Sequence, residues 1–184
     1  MALKGKTQAE VAGIKVNGDN NNTKCVKGSE ISEALSMRSE MNREEIRTYL
    51  SQPLIARLAT SNNGWPHVTS VWFEYDGENF WIPIQATTKK AGHIRKDKRV
   101  GLLIDTFVEP ISKFNITQVV VKGEAELLKV PTNEGPNPLR SRTLSIWHRY
   151  LGDEPEQTLK NRLRIERYLV KIRPVQIYAI REQW

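Results

Sequence analysis

The 184-residue chain is 39% hydrophobic and carries a formal charge of +7, from 28 basic and 21 acidic side chains. That length and apolar content suit one folded domain with its own core, and no run approaches the roughly 18 apolar residues of a membrane-spanning helix. Cys25 is the single cysteine, which excludes an intrachain disulfide and a thiolate metal cluster; with no apolar leader block, the expectation is a soluble, cytoplasmic protein.

Residues 1–40 are rich in Asn, Lys, Ser and Gly, with Asn17-Gly18-Asp19-Asn20-Asn21-Asn22 at their centre. Such a stretch offers little apolar surface to offset ordering entropy. It is expected to be a flexible arm, with a short helix through Ile31, Leu35 and Met37. Residues 41–184 form the folded domain. Its first signal is Asn42 followed three residues later by Glu45, a capping box, after which Ile46, Tyr49 and Leu50 recur at helical spacing until Pro53 ends the segment.

Beyond Pro53 the period shortens. Leu54 to Ser61, Pro66 to Tyr75, Asn79 to Ile84, Val100 to Asp105, Thr117 to Val130 and Arg167 to Ile180 are rich in Val, Ile, Thr and aromatics and read as six strands. Turn signals at Asn62-Asn63-Gly64 and Asp76-Gly77 predict that the first three form a hairpin meander. Two helices are expected between Leu139 and Arg167, separated at Gly152, after a loop containing Pro131, Pro136 and Pro138. The early strands lie too close together for crossover helices, so the fold class is mainly β (α+β), a six-stranded antiparallel barrel with peripheral helices.

The chemistry concentrates at Thr87-Thr88-Lys89-Lys90-Ala91-Gly92-His93-Ile94-Arg95, where a strand hands over to a helix. The first helical N–H groups lack partners there and the dipole favours anions, so a phosphate would meet amides, hydroxyls and ammonium groups together. Thr87 or Thr88 also suits a plain N-cap, and the lysines could be solvated. Local chemistry alone leaves both readings open.

Charge narrows the partners. Between Lys89 and Arg99 six basic residues stand against Asp97 alone. Yet no stacking platform interleaves aromatics with these cations, and no helix-turn-helix, zinc-finger or RNA-recognition signature occurs, so nucleic acid is a minority partner beside a small anionic ligand. His67, His93 and His148 form no His-Glu-x-x-His motif, so neither a metal site nor a hydrolytic triad is expected.

Four pieces in order resemble the pyridoxamine 5'-phosphate oxidase-like, flavin-binding split β-barrel family. They are Leu54-Ile55-Ala56-Arg57-Leu58-Ala59-Thr60; Pro66-His67-Val68-Thr69-Ser70-Val71-Trp72-Phe73; Lys90-Ala91-Gly92-His93-Ile94 with Arg99-Val100; and Gln118-Val119-Val120-Val121-Lys122-Gly123-Glu124-Ala125. The resemblance spans about Arg43 to Tyr178. It implies a split barrel binding flavin mononucleotide (FMN) at a homodimer interface, with hydride transfer to or from a small substrate.

By the same resemblance, Thr88, Lys89 and Lys90 hold the phosphate. Val68, Thr69, Ser70, Val71 and Trp72 line the ring and ribityl chain, as do Ile84 and Gln85, while Gln118 reaches the flavin of the partner subunit. Two departures stand out. The chain ends Arg173-Pro174-Val175-Gln176-Ile177-Tyr178 and onward without the Arg-rich, Trp-containing substrate signature, so pyridoxamine-phosphate oxidase activity itself is not expected. Pro83-Ile84 replaces the frequent aromatic-hydroxyl pair, removing one side-chain bond to the cofactor. The alternatives of the same fold are a deazaflavin-dependent reductase, whose anionic tail would suit Arg95, Lys96 and Lys98, and a non-enzymatic flavin or haem binder with His67 or His93 as ligand. Substrate specificity is expected in the loop from Ile111 to Asn115, the Pro-rich connection and the late helices.

Overall fold

A computed structural model describes residues 38–108, 115–132, 135–152 and 154–183. The expected helix through Ile31 and most of the arm lie outside these residues, as do Cys25 and most of the Ile111 to Asn115 loop. Among the described residues are eight strands: β1 (Arg38–Glu40), β2 (Ala56–Asn62), β3 (Trp65–Val71), β4 (Glu74–Tyr75), β5 (Phe80–Gln85), β6 (Arg99–Val108), β7 (Asn115–Val130) and β8 (Arg167–Gln183). Four helices accompany them: α1 (Arg43–Leu50), α2 (Lys89–Lys96), α3 (Pro138–Leu151) and α4 (Glu156–Arg162).

All pairings are antiparallel, in the order β3-β2-β6-β7-β8-β5-β4, with β1 on β8. The mainly β, split-barrel reading therefore holds, with two corrections. The strands are eight and not six, because Pro66 to Tyr75 breaks at Trp72-Phe73 into β3 and β4, and Arg38–Glu40 adds a short strand along β8. Nor do the first three strands form a meander. β2 and β3 make a hairpin, but β5 leaves them to pair with β8, at the other end of the sheet order. Alternation identifies a strand without saying which edge receives it.

The turns follow local chemistry. Asn63 (φ 52°) and Gly64 (φ 85°) both take positive φ between the paired residues Asn62 and Trp65, the two-residue hairpin geometry that Asn-Gly favours. At the β4–β5 turn, the Asp76 carboxylate accepts from the N–H groups of Glu78 and Asn79, at 3.0 and 2.8 Å. Asn42 caps α1 by accepting from Glu44 and Glu45, while Glu45 accepts the Asn42 N–H at 2.8 Å. Asn137 caps α3 by accepting from the N–H groups of Leu139 and Arg140, without a reciprocal bond, and Gly152 (φ 62°) ends it.

Alternate residues of these strands fill the barrel. Leu58, Phe73, Phe80, Ile82, Ile104 and Ile172 are fully buried there; each such side chain contributes about 1.5–3 kcal/mol through burial. α2 closes one end with Ala91 and Ile94. A second, smaller cluster of Val130, Ile146, Trp147, Leu159, Leu163 and Leu169 seats α3 and α4 against β7 and β8. Gly123 sits at the β7 bulge, where a Cβ would come within 2.8 Å of the Arg173 carbonyl oxygen, so only glycine lets the two long strands approach.

Both ends of the sheet order are open edges. Among the described residues β3 bonds only to β2, and β4 covers β5 only at Phe80 and Trp81, leaving one side of β5 without a strand partner from Ile82 onward. That explains Pro83, whose missing N–H is tolerated on an edge. It also leaves an unpaired seam between β3 and β5.

Candidate cofactor site

At the end of β5 the Gln85 carbonyl accepts from both the N–H and the hydroxyl of Thr88, at 3.3 and 2.8 Å. The hydroxyl is thereby turned away from the helix: Thr88 occupies the N-cap position of α2 in extended conformation but makes no side-chain cap. The Thr88 carbonyl accepts from Ala91 and Gly92. The N–H groups of Lys89 and Lys90 meet no acceptor among the described residues, so the positive end of the helix dipole is left open.

A cavity of about 310 Å³ opens beside this junction, along the seam. Ser70, Val71 and Trp72 at the end of β3 form one wall, Pro83, Ile84 and Gln85 of β5 another, and Ile55, Thr88, Lys90 and Arg167 complete it. Trp72 is held in place from behind, stacked on Tyr150 of α3 at 5.2 Å and 7°. The Tyr150 hydroxyl donates to the Leu54 carbonyl at 2.6 Å and accepts the Phe73 N–H at 3.2 Å, and burial raises its pKa, so it stays protonated.

Electrostatically the cavity is one-sided. Lys90 and Arg167 are its charged lining residues, and among the described residues no carboxylate lines it. Burial lowers the pKa of Lys90; burial and then the charge of Arg162 lower that of Arg167. Among the described residues neither cation has an ion-pair partner.

The site residues expected from sequence divide accordingly. Ser70, Val71, Trp72, Ile84, Gln85, Thr88 and Lys90 converge on one cavity. Lys89, one position earlier, is exposed outside it. Val68 is 59% exposed on the outer face of the sheet, whereas Thr69 points inward, its hydroxyl buried and without a hydrogen-bond partner. Gln118 pairs with Asp105 and Ile180 on β7. Three strand spacings separate β7 from β3, roughly 14 Å, so Gln118 does not line this cavity within one chain. Arg167 had no sequence signal beyond the general basicity of the C-terminal part. It enters through the Gln85–Arg167 cross-strand pair.

His67 and His93 meet edge to face at 5.0 Å inside the barrel end, and His93 Nδ1 lies 3.1 Å from the buried Thr60 hydroxyl. They tie α2 to the β2–β3 hairpin. Among the described residues no group of three or more His, Cys, Asp or Glu could hold a metal ion. A larger hollow of about 580 Å³ lies among Ala59, Pro66, Gly101, Lys122 and Val175, but none of the expected site residues lines it.

Comparison with known families matches residues 43–181 to pyridoxamine 5'-phosphate oxidase. The chain belongs to the pyridoxamine 5'-phosphate oxidase-like family. Among solved structures it is similar to a conserved hypothetical protein of Mycobacterium tuberculosis, at 28% identity over 76% of this chain and 84% of that one, with a TM-score of 0.61. A FAD-binding protein of Mesorhizobium loti follows at 18% identity, 79% and 98% coverage and a TM-score of 0.58, a likeness of fold. An F420 reductase is 25% identical over 71% of this chain and 94% of its own, at a TM-score of 0.53. The search of curated proteins found no match. No described helix is long and apolar enough to cross a membrane.

Proposed function

We propose that this chain is a flavin-dependent oxidoreductase that binds FMN in the seam cavity as a homodimer and exchanges a hydride with a small substrate. One observation carries the reading: the cavity joins an uncapped helix N-terminus, on a turn shaped by Thr88, and two unneutralised cations to the ends of two open strands. This donor set fits a phosphate, and the unpaired edges and Trp72 suit a planar, amide-rich ring. Bound FMN would supply the hydride chemistry; the chain's part is position and electrostatics. Lys90 and the orphan amides hold the phosphate end, Ser70 to Trp72 and Ile84 to Gln85 border the ring, and the Trp72–Tyr150 stack keeps the wall rigid.

The dimer is supported by the outer face of the sheet. Val68, Val120 and Tyr178 are exposed there, and Arg57 is neutralised by Asp105. Pairing through this face would bring the Gln118 of one copy toward the cavity of the other. The test is the absorption spectrum of the purified protein, mass analysis of what heat releases, and the solution mass. Bound FMN in a dimer supports the reading; a protein that neither carries nor takes up FMN sinks it. The likeness to an F420 reductase supports a second reading, a deazaflavin-dependent reductase whose cofactor tail would run toward the exposed Arg95, Lys96 and Lys98. Competition between FMN and the deazaflavin in one titration separates the two.

A further inference from the structure

We infer that Arg167 is a second anion-binding residue of the cavity, and that with Lys90 it makes the site a receptor for the dianionic phosphate monoester of the flavin in preference to the diphosphate bridge of a dinucleotide. The inference rests on the cofactor reading above and adds a residue and a selectivity to it. Arg167 opens β8 opposite Gln85, at the last rung of the β5–β8 ladder, and the Ala86 N–H closes that ladder on the Glu166 carbonyl at 3.0 Å. Its side chain therefore starts beside the strand–helix junction.

Two contacts fix the guanidinium. It lies 4.8 Å over the Trp147 ring of α3, and its Nε–H donates to the Arg162 carbonyl at 2.9 Å. Its two terminal nitrogens, four N–H donors in a planar fork, make no bond to any described residue. An arginine held this firmly with its fork unused is suited to a planar or tetrahedral oxyanion.

Charge balance identifies which. Two half-buried cations line one small cavity, with no carboxylate among its described walls. Each loses hydration on burial, and Arg162 sets a further like charge beside Arg167, so an entering anion relieves both. A phosphate monoester carries about −1.5 to −2 at neutral pH, which matches the pair. In FAD the two charges sit one on each phosphorus of the diphosphate bridge, so the phosphorus seated in the cavity would bring a single charge and leave one cation uncompensated.

The test titrates FMN, FAD and riboflavin into the full chain and into Arg167→Gln, Arg167→Lys and Lys90→Ala, with melting temperature and circular dichroism confirming that each variant is folded. The expected result is FMN tighter than FAD in the parent protein. Arg167→Gln should lose tenfold or more for FMN with riboflavin unchanged, and Arg167→Lys should recover part of the loss. Equal losses for FMN and riboflavin, or an unchanged FMN affinity, would overturn the role of Arg167. If the parent protein takes up no flavin, the cofactor reading fails, and inorganic phosphate becomes the probe. Thermal stabilisation by phosphate that disappears in Arg167→Gln would still support the anion site; no stabilisation would overturn it.

Discussion

α1 and α2 are both eight residues long, and they begin in opposite ways. α1 has a complete capping box, and Glu44 and Glu45 complement the dipole in its first turn. α2 has a threonine whose hydroxyl is turned away, two lysines where acids belong, and two amides without acceptors. A cap is worth about 1 kcal/mol and a well-placed charge about 0.3–1 kcal/mol, so α2 forgoes stability that α1 collects. What α1 satisfies from within, α2 leaves available for an anion. Both helices bury two residues, and Ala91 and Ile94 anchor α2 to the barrel in place of a cap.

The contrast can be broken at several points. The largest effect is expected from the Lys89→Ala, Lys90→Ala double variant, which should weaken FMN binding by about one to two orders of magnitude, since a sheltered charge-assisted hydrogen bond contributes about 1.5–3 kcal/mol. Nearly all of it should be reproduced by Lys90→Ala alone, because Lys89 lies outside the cavity. Fluorescence titration of the parent protein and these two variants checks both statements. Asn42→Ala should lower folding stability by about 1 kcal/mol, read as a shifted denaturation midpoint with FMN affinity unchanged. A change in affinity would mean that the two helix ends are coupled.

Thr88→Ala should weaken FMN by only a few-fold. Its hydroxyl already donates to the Gln85 carbonyl, leaving it only acceptor capacity, so its main role is to shape the turn. The smallest effect concerns pH. Burial first, then the charges of His67, Lys96 and Lys89, lower the His93 pKa below its ordinary 6.5. The folded protein then binds fewer protons than the unfolded chain just below that value. The stability His93 contributes is present above about pH 6.5 and is lost as pH falls through the folded pKa. Urea denaturation across this window should show a slope that His93→Gln flattens.

The features legible in sequence are those set by neighbours along the chain. The Asn42–Glu45 box, the Asn63-Gly64 turn, the break at Gly152 and the strand-to-helix junction at Thr88 each depend on a few consecutive residues, and each stands where the pattern placed it. What required the fold was partnership at a distance. Nothing within Phe80-Trp81-Ile82-Pro83-Ile84 tells that this strand pairs with Lys171 and Val170 and not with β3. The stack of Trp72 on Tyr150 joins residues 78 positions apart, and the approach of Arg167 to Thr88 and Lys90 follows from a register that only the folded sheet defines. The cavity itself is a gap between edges, and a gap has no sequence motif.

β8 comes last of the strands in the chain, yet it joins three others: β7 along nearly its whole length, β5 beside the cavity, and β1. While a ribosome is still making residues 167–183, β5 lacks its neighbour and the Gln85–Arg167 rung does not exist. Pairing between sequence-distant strands is slow and leaves edges exposed in the interval. On the proposed reading, cofactor capture would wait until synthesis has passed this segment, and until β8 docks the growing chain carries β5 and β7 as exposed edges.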